Sequence, residues 1–303
     1  RPPRSTLFPY TTLFRSLRLL AQENVEYNLG SVGMDAQQLS FVESLIERPY
    51  GMMLVTGPTG SGKTTTLYGV LRRLNSVSRK ILTVEDPVEY QISGINQIQV
   101  KPQIDLTFAN ALRSLVRQDP DVLLIGEIRD KETADIAIES ALTGHLVLST
   151  LHTNDAPGAI TRLRDIGIES FLMADSLLAI LAQRLVRVLC ANCREAYEAR
   201  EADQVRLREV LSDVPANPIL YQNKGCDKCG HTGYRGRDGI FEILPVSDAV
   251  RSAIVAGKNA GTISQIAFQE NYRPLLHHGY RKALAGVTTM SEVLRVTSLS
   301  LAG

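Results

Sequence analysis

Tryptophan is absent from the 303 residues, and aromatic side chains make up only 6% of them, so a core here must be built from aliphatic packing. No apolar run approaches the roughly 20 residues that a membrane-spanning helix needs, and a soluble chain is expected. Neither sign of charge is in excess. Lys and Arg number 33 against 32 Asp and Glu, a net charge of +1, which removes bulk electrostatic attraction to nucleic acid as an argument. Cysteine is scarce and clustered: all four lie between residues 190 and 229. What remains is ordinary globular composition, 44% hydrophobic and 21% charged, enough for one large domain or two smaller ones.

The first 16 residues read RPPRSTLFPYTTLFRS, and positions 6–16 coincide with one reading frame of a common sequencing adapter. They are expected to be an artefact joined to a natural chain, and are set aside from the fold. Pro9 and Arg15 interrupt any signal-peptide core. Residues 23–32 read as a polar linker. From Asp35, a plausible N-cap, Leu39, Phe41, Val42, Leu45 and Ile46 recur at near-helical spacing and predict a helix over 35–47. Four short runs rich in Val, Ile and Leu follow, at 52–56, 80–85, 122–126 and 146–151. Helical stretches alternate with them, the pattern of parallel βα units in an α/β layer. A charged helix is expected over 195–211. After Pro245, four small helices are expected at 247–256, 262–270, 274–285 and 291–297.

Residues 57–64, GPTGSGKT, fit G-x-x-x-x-G-K-[ST]. Gly57, Gly60 and Gly62 let backbone N–H groups of the loop turn towards phosphate oxygens. The helix expected from Thr65 onward offers further free N–H groups. Lys63 would neutralise the β- and γ-phosphates, and the Thr64 hydroxyl would hold Mg²⁺. A chain of this length matches the pattern by accident roughly 1% of the time. A nucleotide-binding protein that does not hydrolyse remains compatible with this loop alone.

Acids end two of the strand candidates. In Asp121-Val-Leu-Leu-Ile-Gly-Glu127, Gly126 stands where generic P-loop enzymes carry a Mg²⁺-holding Asp. Glu127 is the candidate for polarising the attacking water, against the alternative of a surface acid at a strand end. In Thr83-Val-Glu-Asp-Pro-Val-Glu89, Glu85 is the preferred member, with Asp86 and Glu89 behind it; a solvated turn is the plain alternative. His145 and His152 bracket the fourth strand. Their spacing is not that of a metal pair, and a γ-phosphate sensor or subunit contact fits better than a metal site.

Cys190-x-x-Cys193 and Cys226-x-x-Cys229 supply four thiolates, enough for a tetrahedral Zn²⁺ with no position left open for water, hence a structural site. Disulfides are the alternative in an oxidising compartment.

In order, GPTGSGKTTTLYG, TVEDPVEY, DPDVLLIGEIRD and TGHLVLSTLHTNDA resemble the Walker A, Asp box, Walker B and His box of the secretion ATPase superfamily. Gly126 agrees with that family. The tetracysteine module is similar to that of type II secretion and type IV pilus assembly ATPases rather than retraction ATPases, and the ending TTMSEVLRVT leans towards type II secretion. The resemblance covers residues 17–297. It implies an α/β fold with a RecA-like P-loop core over 35–187, a zinc module over 188–240 and a helical region over 241–303, preceded by a domain remnant and linker over 17–34. It also implies a homo-hexameric ring of ATP hydrolases in the cytoplasm, at the inner face of the inner membrane. ATP and Mg²⁺ would sit in the loop formed by Gly57, Pro58, Thr59, Gly60, Ser61, Gly62, Lys63, Thr64 and Thr65. Glu127 would act on water with Glu85 in support, His145 and His152 would couple the site to conformation, and Arg18 would match the last phosphate-facing arginine of the N-terminal domain. The partners implied are an inner-membrane platform and cytoplasmic docking proteins, with no direct nucleic-acid contact and membrane association only through those partners. With the earlier arginines of that domain missing, this chain by itself is expected to turn over ATP slowly or not at all. A type IV pilus motor and a DNA-uptake or conjugation motor are the competing readings.

Overall fold

The computed structural model describes residues 28–297. Residues 1–16 and Arg18 lie outside the described residues. The chain forms strands β1 (Gly51–Thr56), β2 (Ile81–Glu85), β3 (Asn96–Gln99), β4 (Val122–Ile125), β5 (Leu146–Leu151), β6 (Leu177–Leu189), β7 (Arg194–Glu198), β8 (Ile219–Asn223) and β9 (Tyr234–Pro245). The α-helices are α1 (Ala36–Ile46), α2 (Lys63–Leu74), α3 (Phe108–Leu115), α4 (Lys131–Leu142), α5 (Ala156–Ile166), α6 (Ser170–Ser176), α7 (Glu201–Val210), α8 (Asp248–Val255), α9 (Ala260–Gln269), α10 (Leu275–Leu284) and α11 (Met290–Thr297).

The four strands expected from sequence are present, and all are central. They lie in a seven-stranded sheet of order β3-β2-β4-β5-β1-β6-β9. Neighbours from β3 through β6 run parallel, and β9 returns antiparallel to β6. Burial on both faces explains the near-continuous apolar runs. Met52, Leu54, Leu82, Val84, Leu123 and Ile125 face a core shared with α3, α4, α5 and α6. Met53, Val55, Ile81, Leu124 and Leu148 face a second core shared with α1 and α2. The alternation along each strand follows from side chains pointing to opposite faces. Helix α1 starts where expected: Asp35 accepts from the Gln38 N–H at 2.8 Å and Gln38 reaches back to the Asp35 N–H at 3.2 Å, a reciprocal cap.

Two expectations need correction. The charged stretch 195–211 is helical only in its second half, as α7. Its first half is β7, in which outward and inward residues alternate and pair with β8 from Arg194↔Asn223 to Glu198↔Ile219. The boundary expected at 187/188 does not end the sheet either. Strand β6 continues for 13 residues to Leu189, and β9 pairs with it from Ala179↔Pro245 to Leu189↔Tyr234. The boundary expected at 240/241 therefore falls inside β9. The four small C-terminal helices match the expected spans closely, and the first is capped by the Ser247 hydroxyl.

Candidate nucleotide and metal sites

In the parallel part of the sheet, the ends of β1, β2, β4 and β5 emerge at one edge, where ligands bind in open α/β sheets. The loop after β1 is the phosphate-loop sequence. Gly57 and Gly62 have φ of +148° and +91°. A Cβ on Gly57 would stand 2.5 Å from the Gln183 carbonyl oxygen, and one on Gly62 would stand 2.7 Å from Gln183 Nε2, so both positions are closed to a side chain. Lys63, the first residue of α2, folds its ammonium back onto the carbonyls of Gly57 at 2.8 Å and Pro58 at 3.1 Å. Ser61 Oγ is buried with no partner among the described residues. An orphaned hydroxyl, a lysine lying on its own loop and a helix start together fit a phosphate chain. Pro58, Thr59, Gly60, Thr64 and Thr65 are exposed on the same loop and first turn, leaving the Thr64 hydroxyl free to meet a metal-bound phosphate.

Glu127 follows β4 and is mostly buried. One carboxylate oxygen lies 2.5 Å from Arg129 Nη2 and the other 3.4 Å from His152 Nε2. Burial holds Lys63 down to about 8, and the negative charge acting back on it is that of Glu127. Lysine and glutamate thus share one crevice, the condition on which a motor reading depends. Burial, then Lys63, keep the His152 imidazole below its ordinary value, with Glu127 pulling the other way. A Cβ on Gly126 would stand 3.2 Å from the Val84 carbonyl oxygen and 3.3 Å from Glu85 Cα, a tight fit that a side chain there could meet only by shifting its neighbours.

Glu85 ends β2, fully buried, and its carboxylate is turned towards α2. It accepts from Tyr68 Oη at 2.5 Å, Thr83 Oγ1 at 2.6 Å and Gln97 Nε2 at 3.1 Å. In this conformation those three donors hold it, and it must exchange them to act on water.

His145 is in the wrong place for the role given it. It precedes β5, its ring bonded to the Ser140 carbonyl at 3.0 Å, and its own carbonyl accepts from the Gly51 N–H at the start of β1. That is the edge opposite the phosphate loop, about 17–20 Å away along a six-residue strand. His145 does not face the nucleotide crevice of its own subunit.

Sequence reasoning missed Gln183 and Arg184. Both lie on β6 just beyond its pairing with β1, beneath the phosphate loop. Gln183 Oε1 accepts from Thr66 Oγ1 at 2.8 Å. Arg184 is buried, donates to the Asn154 carbonyl at 2.5 Å, and has no carboxylate at ion-pair distance among the described residues. A polar pair inside an otherwise aliphatic strand was the available signal.

All four cysteine sulfurs lie within 4.8 Å of one another. The separations are 3.9 Å for Cys190–Cys226, 3.8 Å for Cys193–Cys229 and 3.7 Å for Cys226–Cys229. Zn–S bonds of about 2.3 Å in a tetrahedron give sulfur separations of about 3.8 Å, so the set fits Zn²⁺. Backbone N–H groups of Cys226 and Gly233 point at Cys229 Sγ, each at 3.2 Å, as they would to stabilise a thiolate.

Comparison with known proteins agrees with this geometry. Residues 6–295 match the family model described as Type II/IV secretion system protein. The chain is 53% identical to type II secretion system protein E of Klebsiella pneumoniae over 94% of its own length and 56% of that protein's. It is 52% identical to type II secretion system ATPase E of Vibrio cholerae, again over 94% and 56%. It is 48% identical to the type IV pilus assembly ATPase PilB of Myxococcus xanthus, over 93% and 50%. The chain therefore spans about half the length of the curated relatives it matches. Among solved structures it resembles the pilus retraction motor PilT with bound ADP, with a TM-score of 0.66 and 26% identity over 91% of this chain and 68% of that one. The Legionella pneumophila ATPase DotB, 21% identical, shares the fold at a TM-score of 0.63 over 89% and 65%. The RecA-like α/β fold is thus established, and the chain belongs to the type II/IV secretion system protein family.

Proposed function

We propose that the chain is the ATP-hydrolysing part of a type II secretion motor. The observation that carries this reading is the meeting of Lys63, Glu127 and His152 in one crevice beside a loop of backbone N–H groups. Lys63 leaves the Gly57 and Pro58 carbonyls for the β- and γ-phosphates, and the loop N–H groups and Ser61 hydroxyl complete the cradle. Thr64 would hold Mg²⁺, which would supply charge neutralisation of the phosphates. Glu127 orients the attacking water and takes its proton, while Arg129 and His152 hold the carboxylate in place. Glu85 supports Glu127 once released by Tyr68. The four cysteines hold a structural Zn²⁺ at the end of β6.

By analogy with its relatives, the protein works in the cytoplasm as a homo-hexameric ring. It docks on inner-membrane platform and cytoplasmic adaptor proteins of the secretion machine and drives pseudopilus assembly. No described helix is long and apolar enough to cross a membrane, which suits attachment through partners. The 48% identity to a type IV pilus assembly ATPase supports pilus extension as the second reading. Phosphate release from MgATP by the full-length protein, wild type and Glu127→Gln, tests the enzymatic claim. Turnover that is indifferent to this substitution refutes the assignment. Complementation of a secretion-deficient strain against a pilus-deficient strain separates the two machines.

A further inference from the structure

Four residues, His152 to Asp155, join β5 to α5, and they and Ala156, the first residue of α5, are tied to several parts of the molecule. His152 meets Glu127 at 3.4 Å. The Thr153 N–H donates to Thr56 Oγ1, at the end of β1, at 2.9 Å. The Asn154 carbonyl accepts from Arg184 on β6 at 2.5 Å. Asp155 caps α5 through the Gly158 N–H at 2.7 Å. The Ala156 N–H donates to Glu242 Oε1 at 2.8 Å. The loop is thus stitched to the nucleotide crevice at one end and to β9 at the other.

Glu242 does more than close this loop. It lies on β9 opposite Ala182 and is 2% exposed. Its second oxygen accepts from the Leu275 N–H at 3.0 Å, the first residue of α10. The Tyr272 hydroxyl, three residues before α10, also bonds to it. One buried carboxylate therefore caps two helix N-termini at once, α5 directly after the nucleotide-facing loop and α10 in the C-terminal region. Both helix starts carry the positive ends of their dipoles, and the bonds are shielded from water; burial raises the Glu242 carboxyl above its ordinary range, against the pull of those donors. Helix α10 is itself anchored onward. His278 Nδ1 accepts from the Phe241 N–H at 3.1 Å, and Lys282 pairs with Asp238 beside Gly33 in the segment that leads into α1.

We propose that Glu242 is the coupling residue between the nucleotide crevice and the C-terminal helices, so that a shift of the His152–Ala156 loop on nucleotide binding moves the start of α10 with it. The inference rests on the nucleotide reading of the crevice. Its warrant is a rigid link through one carboxylate, which requires both of its ends to respond together. A carboxylate serving packing alone would stabilise the fold without passing on any response.

The test is amide hydrogen exchange of the full chain with and without MgADP, followed at residues 152–158 and 272–278, with MgADP binding measured in parallel. Wild type slows at both segments. Glu242→Gln keeps one acceptor and turns an amide donor towards a backbone N–H. It retains MgADP binding and the response at 152–158 but loses that at 272–278. Leu275→Pro removes the α10 donor, together with the buried Leu275 side chain, at a helix position that tolerates proline after Pro274, and gives the same split should Glu242→Gln fail to fold. A wild type that binds MgADP without any change at 272–278 overturns the coupling alone, as do variants that still transmit it. A wild type that binds no MgADP overturns the functional reading and the coupling together.

Discussion

The Tyr68 hydroxyl of α2 donates to the Glu85 carboxylate across 2.5 Å, inside the core rather than in the nucleotide crevice. Burial and the Glu85 charge push the Tyr68 hydroxyl well above its ordinary range, so it stays a donor at every working pH. Tyr68→Phe leaves Glu85 buried with Thr83 and Gln97 only. The expected cost is about 1–3 kcal/mol, that of an under-satisfied buried charge. Urea unfolding measures it, and MgADP affinity is expected to stay close to wild type.

Lys63 gives the pH dependence a definite sign. Burial lowers it from 10.5 to about 8. The charged ammonium is the form that binds phosphate, so nucleotide affinity is full below about pH 8 and falls above it, by up to about tenfold per pH unit. Phosphate binding restores the higher value, so at pH 9 binding takes up a proton. Titration calorimetry in buffers of different ionisation enthalpy measures that uptake. For folding the sign is opposite: the cost of burying the charge is full below pH 8 and is relieved between 8 and 10.5.

Glu127→Gln keeps the size of the side chain and loses the base. MgATP binding is expected to persist while turnover falls by about 10²- to 10⁴-fold, the usual contribution of a positioned general base. Arg129→Ala removes the 2.5 Å partner and frees the carboxylate, so turnover falls less than in Glu127→Gln. Steady-state phosphate release by the full-length protein ranks the two.

The cysteine cluster predicts one zinc per chain by metal analysis, and intense thiolate-to-metal absorption when Co²⁺ replaces it. A tetrathiolate site contributes on the order of 10–16 kcal/mol of binding free energy. Chelation is therefore expected to unfold the part built on Ala199, Leu207, Leu211 and Leu220, which packs on Tyr280, Met290 and Val293 of α10 and α11. Cys226→Ala has the same effect. Loss of metal without change in thermal stability contradicts a structural role.

The four central strands were legible because apolar runs buried on both faces have few alternatives, and the helix starts because Asp35 and Ser247 are good caps. The phosphate loop, Glu127 and the cysteine pairs were legible because their chemistry fixes residue type and spacing together. Strand β7 was hidden by its charge, since it pairs with only one neighbour at the surface. Strand β6 was not among the expected strands, because its polar Gln183 and Arg184 break the apolar run, whereas they are the floor of the phosphate loop. His145 was misplaced because sequence shows that two histidines flank a strand but not that the strand separates them. Glu242 gave no local signal: its two backbone donors are 86 and 33 residues away.

Equilibrium titration of the chain with a fluorescent ATP analogue and Mg²⁺ tests the central claim most directly. Charge-assisted bonds from the Lys63 ammonium are worth about 1.5–3 kcal/mol, so Lys63→Ala is expected to weaken binding by about 10- to 100-fold while Glu127→Gln binds as tightly as wild type. Binding unchanged by Lys63→Ala contradicts the account.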